Sequence, residues 1–478
     1  MSTTTSTTSN TTTSTASPAS TVIFWFRNDL RLHDQRALAA AQSSGASHLL
    51  PVYCHAPAHE TTPWGFARKG PHRQAFEGAA LQALSERMAA LGNPLLQCQG
   101  NAATLLPALA RTVGATTVVC EDIAAPEEHA QVAALRAAGL TVRTVWHSSL
   151  LEPDALPFAP AQLPGVFTSF RQAVERADMA PLPPLAAPAA LLPPPPAGAL
   201  SAAVGQTVDA QGMSTANAAQ GQSQEQEQEQ EQADSDAAAI HHAGCDPRSS
   251  FPYAKPAFHG SETAALAHLA QYLARKLPHS YKQTRNGLTG VDYSSKFSPW
   301  LATGALSARQ VMAQLRQFEA DHGANDGSYW LWFELLWRDY FRLLHLQHGR
   351  ALYRAQGLSD QPLTAHNTQG FKRWCHGQTG EPLVDAAMRE LAATGYLSNR
   401  LRQVVASYLI YDLRGDWRAG AAWFEHCLLD YDVYSNQGNW LYVAGRGTDP
   451  RGGRRFNPQK QAQDHDADGS YRRMWSAA

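Results

Sequence analysis

Residues 430–440 read Asp-Tyr-Asp-Val-Tyr-Ser-Asn-Gln-Gly-Asn-Trp. No core-building period explains Asp430, Asp432, Asn436 and Trp440 there. An Asx-rich turn would use such residues, and so would a polar site wall. The Asn436 amide can either accept or donate a hydrogen bond. Upstream, Phe333-Glu-Leu-Leu-Trp-Arg-Asp-Tyr-Phe-Arg342 sets Glu334, Trp337, Arg338 and Phe341 at i, i+3, i+4 and i+7. Those positions share one helix face. A carboxylate and a guanidinium among aromatics need partners, either each other or a bound group. In Thr394-Gly-Tyr-Leu-Ser-Asn-Arg-Leu-Arg402 and the residues that follow, Asn399 and Gln403 share a face beside Arg402. Finally, Ser294-Ser-Lys-Phe-Ser298 precedes Pro299 and a helical pattern. Hydroxyls and free N–H groups at a helix start make either a cap or an anion site.

The elements that must hold these residues fall into two halves. From Thr21 onward, short apolar runs at 21–26, 48–54, 116–122 and 141–146, with a weaker one at 94–98, predict buried strands. Between them, 34–44, 73–91, 102–113 and 127–138 predict helices. This alternation implies a parallel sheet with right-handed crossovers, an α/β domain of Rossmann-like type. No GxGxxG follows the first strand, so a dinucleotide fingerprint is absent. From Glu262 onward the rhythm is helical, with segments at 307–319, 328–346, 383–393, 397–414 and 418–428. The expected division is a disordered tail at 1–20, an α/β domain at 21–150, a connector at 151–261 and a helical domain at 262–478. Within the connector, about 195–248 is low-complexity, with Gln-Glu alternation from Gln224 to Gln232, and is expected to be a disordered, solvated spacer.

The chain has 478 residues and a net charge of −2, so any nucleic-acid surface must be a local patch. Arg446, Arg451, Arg454 and Arg455 supply one cluster. The six cysteines form no CxxC pair and no metal-like spacing, which points to a reducing, cytoplasmic setting with neither disulfides nor a metal site. No run of 18 apolar residues occurs, and no membrane span is expected.

Taken in order, these segments resemble the flavin pocket of the photolyase/cryptochrome family, and the variant residues point to its cryptochrome DASH branch. The resemblance implies an N-terminal antenna domain and a helical domain that binds FAD. Tyr281, Ser294, Ser295, Phe297 and Ser298 would wrap the FAD diphosphate. Arg338, Asn399, Arg402, Asp430, Asp432 and Asn436 would meet the rest of the cofactor, with Asn436 facing nitrogen-5 of the ring. Glu334, Trp337 and Asn399 would act on a flipped-out pyrimidine dimer. Gln403 and Tyr442 stand where duplex-acting enzymes usually carry methionine and a second tryptophan. Enzymes acting on (6-4) lesions carry histidines where Asn399 and Gln403 stand, which argues against that activity. Arg285, Arg342, Arg402, Arg454 and Lys460 match phosphate contacts to DNA. Trp440 and Trp417 match the first two members of a three-tryptophan electron chain; the third position falls at Thr364, with Tyr353 or another route as a substitute. A 5,10-methenyltetrahydrofolate antenna is implied near Glu121, Glu127 and Glu128. The implied function is blue-light-driven repair of cyclobutane pyrimidine dimers, preferentially in single-stranded DNA, by a monomer. The alternative is a blue-light photoreceptor that binds nucleic acid with little repair.

Overall fold

The computed structural model describes residues 20–57, 60–199, 201–202, 245–363 and 365–476. The Ser/Thr-rich tail at 1–19, the Gln-Glu repeat and Thr364 lie outside the described residues. Five parallel strands form one sheet in the order β3-β2-β1-β4-β5. They are β1 (Thr21–Phe26), β2 (His48–His55), β3 (Leu96–Gln99), β4 (Ala115–Glu121) and β5 (Thr141–Val145). Every residue of β1 is buried, as a central strand covered on both faces requires. Helices Arg36–Gln42, Pro71–Ala90, Ala102–Val113 and Pro126–Ala137 make the crossovers. The strand order reverses between β1 and β4, and the loop Arg27–Asp34 leaves the carboxyl end of β1 at that point.

The connector contains an element not expected from the sequence, the helix Phe167–Arg176, which buries Phe167, Phe170 and Val174. The helical half includes Glu262–Ala274, Ser298–Thr303, Ala308–His322, Asp326–His348, Thr368–Cys375, Pro382–Thr394 and Trp417–Cys427. The helix expected over 397–414 is shorter. It spans Asn399–Ser407 and passes into a π-helical turn at Tyr408–Asp412, a form that tends to occur at functional sites.

The stretch 430–440 is mostly not the turn its Asn and Gly content suggests. Asp432 accepts a bond from the Ser435 backbone and caps a helix, Val433–Ala444. Tertiary packing overrides local propensity here. A Cβ at Gly438 would lie 2.1 Å from the Phe341 ring, and one at Gly420 would lie 2.2 Å from the Trp440 ring. Each glycine lets an aromatic ring close onto helix backbone.

A buried ionic seam joins the two halves. Asp339, 1% exposed, accepts from the backbone N–H groups of Leu150 (2.9 Å) and Leu151 (2.7 Å). Arg309 bonds Asp34 at 3.0 Å and the Ser149 carbonyl at 3.1 Å. Arg31 reaches the Gly304 carbonyl at 2.9 Å. Glu262 accepts from Leu32 N (3.0 Å) and His33 N (2.9 Å). Beside the seam, Asp29, Glu121 and His147 cluster, with Glu121 hydrogen-bonded to Ser148.

Two predictions follow from this packing. Gly438→Ala should cost about 1–3 kcal/mol by overpacking against Phe341; unchanged denaturant midpoint would refute the close contact. Burial, reinforced by Asp29, pushes the Glu121 carboxyl up to about 7. Between the unfolded value near 4.5 and about 7 the native state holds one proton more, so stability from this group falls as pH rises. Glu121→Gln should therefore melt with the wild type at pH ~5 and above it at pH ~8. A difference of the same size at both pH values would show that the carboxyl does not titrate in this window.

Candidate functional site

A cavity opens between the helices Asn399–Ser407 and Val433–Ala444. Its wall brings together Asn399, Arg402, Gln403, Asp430, Asp432, Asn436 and Trp440. Phe424, Tyr431, Ser435 and Asn439 complete it and were not singled out by sequence; the last two were legible as polar members of the same motif. The Asn399 side chain is reached by solvent, while Trp440 is 2% exposed.

The electrostatics of the wall are set by two arginine–carboxylate pairs. Arg402 binds Asp430 at 2.8 Å and the Leu397 carbonyl at 2.8 Å. Burial alone would lower the Arg402 pKa, and the adjacent Asp430 reverses this and raises it. Arg342 binds Asp432 at 2.7 Å. Burial opposes ionisation of Asp432, yet Arg342 and Arg338 outweigh it and hold the carboxyl well below its usual range.

Two acceptors remain for a ligand. The Oδ1 of Asp430 is buried with no hydrogen-bond partner among the described residues. Left unmet, such an atom costs about 1–3 kcal/mol. Asn436 donates Nδ2 to the Ala421 carbonyl at 3.0 Å, which leaves its Oδ1 as an acceptor at the wall. A heteroaromatic cofactor carrying ring N–H groups fits these two acceptors, as the flavin of FAD does.

Glu334, Trp337 and Tyr442 do not line this cavity; Glu334 pairs with Arg285 at 2.6 Å and keeps about a third of its side chain exposed. Desolvation raises the Glu334 pKa, and Arg285 opposes that rise. Trp337 meets Tyr442 edge-on, with ring centroids 5.5 Å apart. The other face of Trp337 stacks on Phe167 at 3.7 Å. Phe167 is a positioning residue that the sequence reading missed, because it lies in the connector. Tyr442 is in turn held by the Arg454 guanidinium, which sits 4.8 Å over its ring.

Several expected site residues are held by protein partners or lie away from this cavity. Arg342 is 3% exposed and locked on Asp432, so it is not a surface contact for phosphate. Arg285 is engaged by Glu334, and Arg454 by Asp449 at 2.8 Å. Lys460 does lie on the surface, paired with Asp464 at 3.2 Å. Arg338 points away from the cavity wall, to the carbonyls of Ser148 and Leu301. Tyr281, Ser294, Ser295, Phe297 and Ser298 lie off that wall. Phe297 rather than a serine stands at the N-cap of Ser298–Thr303, so no hydroxyl caps that helix from the N-cap position. Ser294 bonds Tyr396, and the Arg402 guanidinium lies 5.5 Å from the Tyr396 ring. The serine loop is thereby tied to the cavity through one tyrosine.

A second opening of about 540 Å3 lies between the two halves of the chain. Glu127, Glu128, Arg350, Tyr353, Arg354 and Trp417 line it. Glu121 does not; it is 2% exposed at the seam. Asn436 and Tyr431 border both this cleft and the first cavity, so one layer of side chains separates them. No described helix is long and apolar enough to cross a membrane.

Comparison with known proteins agrees with this geometry. Residues 330–478 match the FAD binding domain of DNA photolyase, and residues 22–189 match the DNA photolyase domain. The chain is 42% identical to a cryptochrome DASH of Gloeobacter violaceus, covering 95% of this chain and 85% of that one. It is 39% identical to a cryptochrome DASH of Xenopus laevis, covering 96% and 83%. Among solved structures, a Synechocystis cryptochrome superposes with a TM-score of 0.81 at 39% identity, covering 95% of this chain and 88% of that one. A class III photolyase of Agrobacterium tumefaciens superposes with a TM-score of 0.74 at 28% identity, covering 97% and 88%. With both domain models matched and this degree of identity along nearly its whole length, the chain belongs to the photolyase/cryptochrome family, in its cryptochrome DASH branch.

Proposed function

We propose that this protein uses blue light to split cyclobutane pyrimidine dimers in single-stranded DNA. The observation that carries the reading is the cluster in which Trp337 meets Tyr442, with Glu334 one helical turn away on the same helix. FAD, when bound, supplies the light absorption and the electron. The protein's part is binding, orientation and electrostatics.

Trp337, held flat against Phe167, offers a rigid surface against which the extruded pyrimidine dimer would pack. Glu334 is the hydrogen-bonding group for the pyrimidine carbonyl and N–H. Desolvation pushes its pKa up and Arg285 opposes that rise. A carboxyl that takes up a proton as the lesion binds would donate to charge that develops there. Asn399 is accessible at the cavity and would bridge the cofactor's adenine to the lesion. Asp430, Asp432, Arg402 and Asn436 would hold the flavin, and Tyr281 with the 294–298 loop the diphosphate. Lys460 and the exposed arginines near 451–455 would follow the DNA backbone.

Strand preference follows from the same groups. Flipping a dimer out of a duplex costs roughly a few kcal/mol. The Trp337–Tyr442 cluster offers one indole and one phenol, and Gln403 is engaged with Arg400 at 3.3 Å. Such a pocket gives less aromatic surface to offset unstacking than one with two indoles. The cleft at Glu127, Glu128 and Tyr353 is the place for an antenna, a 5,10-methenyltetrahydrofolate in our reading. Its size lies in the range of small-molecule sites.

The test is removal of dimers from a single-stranded oligonucleotide by the reduced, FAD-loaded protein under blue light, beside a dark control and the matched duplex. Repair of the single strand alone is expected. Repair of neither, with FAD bound, would favour a photoreceptor instead. Glu334→Ala should lower the repair rate by roughly a hundredfold while flavin content stays unchanged; loss of flavin would mean that Glu334 serves the cofactor.

A further inference from the structure

We infer that Trp374 and Trp64 carry electrons from the protein surface to Trp440 at the flavin cavity, in place of a chain through Trp417 to a third tryptophan. This rests on the flavin-dependent reading above. Trp440 lines the cavity, yet it is 2% exposed and cannot meet a soluble reductant. Residues 355–370 contain no tryptophan. Trp417 is 4% exposed, and no ring among the described residues packs against it.

A different series of rings does lead outward. Trp374 lies edge-on to Trp440, with centroids 6.4 Å apart. Trp374 stacks on Phe371 at 6.0 Å, and Phe371 contacts Trp64 at 6.4 Å. Trp64 is half-buried, so this indole reaches solvent. It stands on a short loop of the α/β half that docks on the helical half. There Gly70 N binds the His426 carbonyl at 2.9 Å and Arg68 binds Glu425 at 3.0 Å. A second branch from Phe371 through Phe66 to Trp423 needs two phenylalanine bridges rather than one. Phenylalanine is far harder to oxidise than tryptophan, so the shorter gap is favoured.

Burial sets the direction. A positive charge on Trp374, which is fully buried, is costly. Its Nε1 donates to the Val405 carbonyl at 3.0 Å, and an amide oxygen does not take the proton. At Trp64 the charge is hydrated and the indole proton can leave to water. In sequence, Trp440 would give one electron to a photoexcited oxidised flavin held in the cavity. Trp440 recovers it from Trp374, and Trp374 from Trp64 across Phe371. The Trp64 radical cation releases its N–H proton. A soluble thiol then gives one electron and one proton to restore the indole, and two oxidised thiols pair as a disulfide.

The experiment follows photoreduction of oxidised, FAD-loaded protein under blue light with dithiothreitol, by absorbance, for the wild type, Trp64→Phe, Trp64→Tyr and Trp417→Phe. Trp64→Phe should slow photoreduction by about tenfold or more, and the oxidisable Trp64→Tyr should recover most of the rate. Flavin content and melting temperature should match the wild type, because Trp64 is peripheral. As an independent readout, illumination without thiol should leave oxidised tryptophan at Trp64 in peptide mass spectra. A wild-type rate in Trp64→Phe, or a loss confined to Trp417→Phe, would overturn the route. Repair by each variant after chemical reduction in the dark tests the functional reading separately, since that assay bypasses the chain.

Discussion

The carboxylate of Asp339 is the contact on which the site geometry rests. It lies on the helix Asp326–His348, close to Glu334 and Trp337, and accepts the backbone N–H groups of Leu150 and Leu151. Burial pushes its pKa up to about 6. A buried carboxylate bonded to two fixed amides has few alternative positions, since moving it would strand both donors. Next to it, Arg338 grips Ser148 and Leu301. The side of the helix that bonds the α/β half therefore fixes where Glu334 and Trp337 meet Arg285 and Tyr442. Arg309 and Asp34 repeat the logic on a neighbouring helix, with both side chains fully buried. Such pairs are not a strong source of stability, but breaking one leaves an uncompensated charge inside. The seam works as a register between the two halves.

Behind the cavity the same rule operates with a different outcome. Asp432 is satisfied twice, by Arg342 and by the backbone it caps, and it makes a rigid corner. Asp430 is satisfied on one oxygen only, by Arg402. The contrast separates the carboxylate that builds the wall from the one that has capacity left for a ligand. Arg342 belongs to the first kind, which is why its charge serves the interior and not DNA.

Aromatic packing supplies the remaining precision. Phe341 lies against Gly438 and Trp440 against Gly420, so helix Val433–Ala444 packs on helices Asp326–His348 and Trp417–Cys427 as closely as rings on bare backbone allow. Trp337 gains its orientation from Phe167, a residue of the connector. The connector is thus part of the site, and the loop carrying Trp64 and Phe66 couples the sheet domain to the ring system around Trp374.

Much was legible from sequence because it is local. Buried strands announce themselves as unbroken apolar runs, and the five strands lie within a few residues of their expected limits. The i, i+4 spacing placed Asn399 and Gln403 on one face, and both line the cavity. The motif 430–440 was recognisable as a site by the residue types it spends on no core. What tertiary structure decided is everything that depends on a distant partner. Helix Val433–Ala444 forms despite its Asn and Gly because Phe341 and the cavity wall hold it. Arg342, Arg285 and Arg454 look alike as surface cations in sequence, yet each is captured by a carboxylate far along the chain or across a turn. Phe167 and Trp64 carry no signature at all, since an aromatic residue outside a recognised motif acquires a role only from the ring it meets. Residue type sets what a side chain can do; folding sets which charge or ring it finds, because those energies depend on burial and on separations of a few ångströms.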